Sequence, residues 1–204
     1  MRTESLPKTG GISILGFTFR LWNPTKEGHA MSSKSFFIVS ALVVGFLVPA
    51  GSHAQQTNPL DVVPEKMPFD VAYGAPISLD RADSVLAAAI AEAKKHDWKL
   101  NCAVFDSGAN LVSFKRMDGA QLASISVAQH KARAAVKYRR ETKVFESGIQ
   151  LSNFNYMITL DDVIASRGGI PLVEDGKIIG AIGCSGGTGS QDEVAAKAGV
   201  ALIK

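Results

Sequence analysis

Leu172-Val173-Glu174-Asp175-Gly176-Lys177-Ile178-Ile179-Gly180 is the stretch that decides the fold. Asp-Gly between two apolar runs signals a two-residue hairpin, because both central residues of that turn need positive φ. The second run continues as one long strand to Cys184. A glycine-rich loop, Ser185-Gly186-Gly187-Thr188-Gly189, follows it. Gln191 to Ile203 then reads as a closing helix, with Val194, Ala198 and Ala201 on one side.

The same pattern occurs upstream. Leu100 to Phe105 alternates, with Leu100, Cys102 and Val104 on one face. Asp106-Ser107-Gly108-Ala109-Asn110 is a turn, and Leu111 to Lys115 returns as the partner strand. Before this hairpin, Ser78 can cap a helix from Leu79 whose face is Ala82, Leu86, Ala89 and Ala93. After it, Ser124 or Ser126 starts a second helix to about Arg140, striped by Ile125, Ala128, Ala132 and Ala135. Glu141 to Ser166 has no clear period, although Thr142 can cap a short helix through Phe145. Two hairpins and three helices predict a mixed α/β (α+β) fold: a central, mostly antiparallel sheet with helices on both faces.

The chain divides before this domain begins. Residues 1–30 read as an upstream extension that is no native part of the protein. Residues 31–54 have the layout of a secretory signal peptide: a basic start at Lys34, an uncharged apolar run from Phe36 to Val48, and small residues at Ser52 and Ala54. That run is 13 residues long, short of the ~20 that span a bilayer. Periplasmic or secreted localisation is therefore expected, with no stable membrane insertion after cleavage. Residues 55–76 hold four prolines and read as an extended arm, suited to wrapping a neighbouring subunit; residues 77–204 are the folded domain. Past residue 54, 17 Lys/Arg face 17 Asp/Glu, so the basic character of the full chain carries no argument for nucleic acid. Cys102 and Cys184 both fall in strands. Two buried thiols are slightly preferred there over a disulfide, which an exported chain would permit.

Candidate chemistry is sparse. The domain has two histidines and no C-x-x-C-H, which argues against a zinc hydrolase and covalent haem. The glycine loop between strand and helix could receive an anion on its N–H groups, or could simply turn a tight corner. Arg116 could grip a carboxylate through its planar fork; Asp118 could cap the next helix or hold Arg116. His96 sits among lysines. His130 lies off the apolar stripe of its helix, as a surface histidine or a metal ligand. Lys131, Arg133, Lys137, Arg139, Arg140 and Lys143 form a basic cluster that reads as a solvated helix face.

Several spaced motifs nevertheless agree in order with one family. They are Val104-Phe105-Asp106-Ser107-Gly108, Arg116-Met117-Asp118-Gly119-Ala120, Lys131-Ala132, Gly168-Gly169-Ile170-Pro171, Gly180-Ala181-Ile182-Gly183 with Ser185-Gly186, and Gln191-Asp192-Glu193. From Ile77 to Ile203 the chain resembles the GlcG/HbpS-like proteins, known as haem-binding or haem-degrading domains. The resemblance implies a profilin/PAS-like fold, a homo-oligomer, and non-covalent haem with a link to its oxidative degradation. It makes His130 the first candidate for the iron ligand, with Met117, Tyr138 and Tyr156 behind it. Arg116, Lys131, Gly169, Ser185 and Gly186 become the further cofactor contacts, around a groove between the helix of His130 and the loop of Gly169. The acidic pair that haem-binding members can carry on the second helix is replaced here by Ser124-Ile125-Ser126-Val127-Ala128-Gln129. The alternative function is a small organic-acid-binding or accessory protein, with Arg116 and the Gly186 loop as the anion site.

Overall fold

A computed structural model describes residues 58–204 of the chain. The expected upstream extension and signal peptide lie outside the described residues. Strands β1 (Ala72–Tyr73), β2 (Asn101–Asp106), β3 (Leu111–Arg116), β4 (Gly169–Glu174) and β5 (Lys177–Ser185) form one sheet with β5 at its centre. β4 runs antiparallel to one edge of β5, with Ile170 opposite Ile182. β2 runs antiparallel to β5 with Cys102 opposite Cys184, and β3 closes the outside of β2. The short β1 pairs parallel with Lys177 and Ile178. Both hairpins stand as the sequence predicts. Asp175 and Gly176 have φ of 48° and 71°, the doubly positive turn that matches the twist of paired strands.

Four helices follow: α1 (Leu79–Lys95), α2 (Ala123–Lys137), α3 (Lys143–Ser152) and α4 (Gly189–Val200). α1 and α4 share one face of the sheet. There Ala82, Leu86, Ala89 and Ala93 are buried as expected, against Val104, Leu172 and Ile182. α2 covers the other face, where Ala132, Ala135 and Val136 pack on Ala103, Phe105 and Ala181. Small residues let it lie close. A Cβ at Gly183 would stand 2.2 Å from the Ala128 carbonyl oxygen and 2.4 Å from the Ala132 nitrogen, so only glycine admits the helix at this depth.

Two expectations change. The two cysteines form a disulfide, because the register of β2 on β5 sets their Cα atoms 4.2 Å apart, within bridging reach. The buried face of α4 is Ala195, Ala196 and Gly199 with Asp192 and Glu193, while Val194 is 43% exposed. Gly199 decides that face: a Cβ there would meet the Val85 carbonyl oxygen of α1 at 2.7 Å. The end of the arm is bonded to the domain that follows it. Gly74 N–H donates to the Ile178 carbonyl, and the Tyr73 hydroxyl donates to the Val136 carbonyl. Among the described residues, no helix is long and apolar enough to cross a membrane.

Candidate functional site

The deepest charged group comes from a residue that the sequence places on a solvated face. Lys131 is 1% exposed, and its Nζ donates to Asp192 Oδ2 at 2.7 Å. Asp192 Oδ1 accepts the Gly187 N–H at 3.0 Å. Burial pushes the Asp192 carboxyl above the usual carboxylate range, against the pull of Lys131 and of that N–H. The glycine loop therefore faces an internal anion. The Thr188 N–H is likewise taken, by Gln191 Oε1, in a capping box that starts α4.

The loop glycines have steric reasons to be there. A Cβ at Gly169 would lie 2.3 Å from the Lys131 carbonyl oxygen, so α2 and that strand end pack directly on one another there. Gly186 has φ of 144°, and its Cβ would meet the Lys99 carbonyl oxygen at 2.4 Å. Ser185 is buried and lies in one row with Asn101 and Arg116 across β5, β2 and β3. Asn101 Nδ2 donates to the Gln121 carbonyl, while its buried Oδ1 has no partner among the described residues.

His130 stands apart from this cluster. Its imidazole is half-exposed, with Nε2 3.9 Å from Asp162 Oδ1. Lys137 also bonds Asp162 and, with Arg133 and His130 nearby, holds that carboxyl below the usual range. Thus the structure gathers Lys131, Gly169 and the loop after Gly186 around Asp192, sets Arg116 and Ser185 along one row, and leaves His130 on the outer surface of α2.

The larger concavity lies elsewhere, in the stretch the sequence leaves unread. It is a pocket of about 650 Å³ between α3, the arm and the turn Asn155–Thr159. Phe69, Val144, Phe154 and Met157 supply apolar walls. Arg139, Arg140 and Lys143 supply positive charge, against one acid among the described residues, Glu141. α3 is set here because Thr142, buried at its start, accepts the Gly169 N–H on Oγ1 at 3.0 Å and donates its own N–H to the Gly169 carbonyl. Arg140 is the most distinctive lining group. Its guanidinium stacks 3.5 Å from the Phe69 ring centroid and 5.6 Å from that of Phe145, and Nε donates to the Tyr138 carbonyl. It has no carboxylate partner among the described residues. Burial lowers its proton affinity from the ordinary guanidinium value. A half-buried cation on aromatic walls is built to receive an anion on an apolar body. The sequence carries one signal for it, the basic run through Arg139-Arg140, but none that Phe69 folds back over it.

The residues present fit the carboxylates and ring of haem better than they fit its iron. Met157 is the one pocket side chain of a kind that ligates haem iron, and its sulfur packs against Gly148, where a Cβ would meet it at 2.7 Å.

The family described as "Haem degrading protein HbpS-like" matches residues 77–201. Protein GlcG of Escherichia coli strain K12 is 39% identical over 109 residues, covering 53% of this chain and 81% of GlcG. The structure is similar to that of a double mutant of HbpS from Streptomyces reticuli, with 25% identity and a TM-score of 0.60 over 70% of this chain and 97% of that one. It is also similar to PduOC solved as a complex with heme, with 26% identity and a TM-score of 0.58 over 64% of this chain and 96% of that one. The order of motifs, the sheet and these matches agree, and the chain belongs to the HbpS-like family.

Proposed function

We propose that the protein binds haem non-covalently in the pocket framed by α3 and the arm, outside the cytoplasm. The observation that carries this reading is the half-buried Arg140, with no carboxylate partner among the described residues, in a pocket of about 650 Å³ with apolar walls, within the ordinary size range of small-molecule sites, roughly 300–1,000 Å³. Arg140 and Lys143 would hold the propionates. Phe69, Val144, Phe154 and Met157 would cover the ring and exclude water. Haem would supply redox-active iron. The heme complex of PduOC supports the ligand class. The Cys102–Cys184 disulfide supports export, since such bonds persist in oxidising compartments.

A second seat is the outer face of α2. The half-exposed His130 with Arg133 and Lys137 around Asp162 favours it, and it would make His130 the axial ligand. A haemin titration by absorbance separates the two seats. The α3 pocket requires saturable one-to-one binding, weakened at least tenfold by Arg140→Gln and little changed by His130→Ala. A Soret shift lost in His130→Ala and kept in Arg140→Gln moves the site to α2. No saturable shift in the unaltered protein overturns the haem reading. Peroxide-driven haem breakdown extends the same proposal. It requires faster Soret loss in excess peroxide than free haemin shows, and equal rates overturn that extension.

A further inference from the structure

A second concavity opens on the far side of the first hairpin, between the end of β3 and the C-terminal end of α1. Its volume is about 470 Å³. Four cations line it: Lys94, Lys99, Lys115 and Arg116. Ile90 and Met117 give it an apolar floor, and Asp118 is the only acid in the lining among the described residues. Met117 is fixed there, because it packs on the core and its sulfur accepts the Leu100 N–H at 3.4 Å.

The balance of charge within the cleft decides what it would take. Lys99 is held by Asp97, and Lys115 lies 4.0 Å from Asp83. Lys94 and Arg116 form no salt bridge among the described residues, and Asp118 stays beyond salt-bridge distance of Arg116. Past residue 54 the chain has as many acids as bases, so this concentration of positive charge is local. Like charges in one concave site repel, and the site focuses the field on an incoming anion. An arginine fork suits a planar carboxylate. The Ile90–Met117 floor suits a short hydrocarbon link. Gly186, by contrast, is spent against the Lys99 carbonyl and lines neither concavity.

We infer that the cleft of Lys94 and Arg116 is a binding site for a short organic acid, separate from the haem pocket. The site does not depend on haem being the other ligand, and its test keeps the two apart. Succinate, butyrate and inorganic phosphate are titrated calorimetrically into the protein at ionic strength held constant with sodium chloride. The same titrations use a Lys94→Gln/Arg116→Gln variant whose melting temperature shows that it is folded. Saturable succinate or butyrate binding, at least tenfold weaker in the variant and unchanged by saturating haemin, is the expected result. Three results overturn the inference: no saturable heat with either acid, equal affinity in the variant, or displacement of the acid by haemin. Phosphate binding as tight as that of either acid overturns the organic-acid class.

Discussion

Replacing Lys131 with methionine tests how the α2–sheet–α4 contact is held. The substitution keeps the length of the side chain and removes its charge. Asp192 is then left as a buried carboxylate, 3% side-chain exposed, with only the Gly187 N–H at 3.0 Å. Removing one partner of a buried ion pair costs about 3–5 kcal/mol. An upper bound follows from proton binding. Asp192 can escape its charge by taking up a proton, and at pH 7 a carboxyl of ordinary value near 3.9 does so for about 4 kcal/mol, at ~1.4 kcal/mol per tenfold. Burial already pushes this carboxyl up in the intact protein. In the variant the folded-state value rises further above the unfolded one. Stability is then fully present below the unfolded value and is lost as pH rises through the folded value. The expected destabilisation is thus about 3–4 kcal/mol at pH 7, shrinking to about 1 kcal/mol or less near pH 4. Urea unfolding of both proteins at several pH values, followed by circular dichroism, reads it. A loss below 1 kcal/mol at pH 7, or one that does not shrink towards pH 4, refutes the reasoning.

Other outcomes follow from the same contacts. Gly183→Ala sets a Cβ 2.2 Å from the Ala128 carbonyl oxygen and lifts α2, at a cost of about 3 kcal/mol, the upper part of the overpacking range; a melting-temperature drop under 2 °C contradicts this. Cys102→Ala/Cys184→Ala opens a loop closed over 82 residues and should lose about 4 kcal/mol in urea; a midpoint equal to that of the oxidised protein counts against a formed bond. Burial raises the Glu146 carboxyl, but its bonds to the Arg167 side chain and N–H outweigh that and hold it low. Such a group gives stability that is present above its unfolded value and lost as pH falls through the lower folded one. Glu146→Gln should therefore destabilise at pH 7 by about 1–3 kcal/mol and converge on the intact protein below about pH 4; equal losses at both pH values contradict it.

Local patterns were legible in the sequence. Asp175-Gly176 needs no distant partner to turn, and Ala82, Leu86, Ala89 and Ala93 mark their face by spacing alone. The failures are all non-local. α4 buries Asp192 and Glu193 because Lys131 and Arg167, remote in sequence, meet them there. Once those carboxylates are drawn inward, Val194 turns out to solvent. Pairing of Cys102 with Cys184 depends on which strand β5 chooses as neighbour, and a sequence with two hairpins does not state that choice. The candidate site suffers most. Its Arg140 is visible only as one charge in a basic run until the arm brings Phe69 over it. The close backbone approaches that require glycine at 169 and 186 involve residues remote in sequence.

The seat of haem is tested most directly by crystals grown with haemin and an anomalous difference map at the iron edge. One iron peak per chain is expected, inside the pocket between Phe69, Phe154 and Met157, with propionate density reaching Arg140. A peak beside His130, or one with no α3 pocket residue around it, contradicts it.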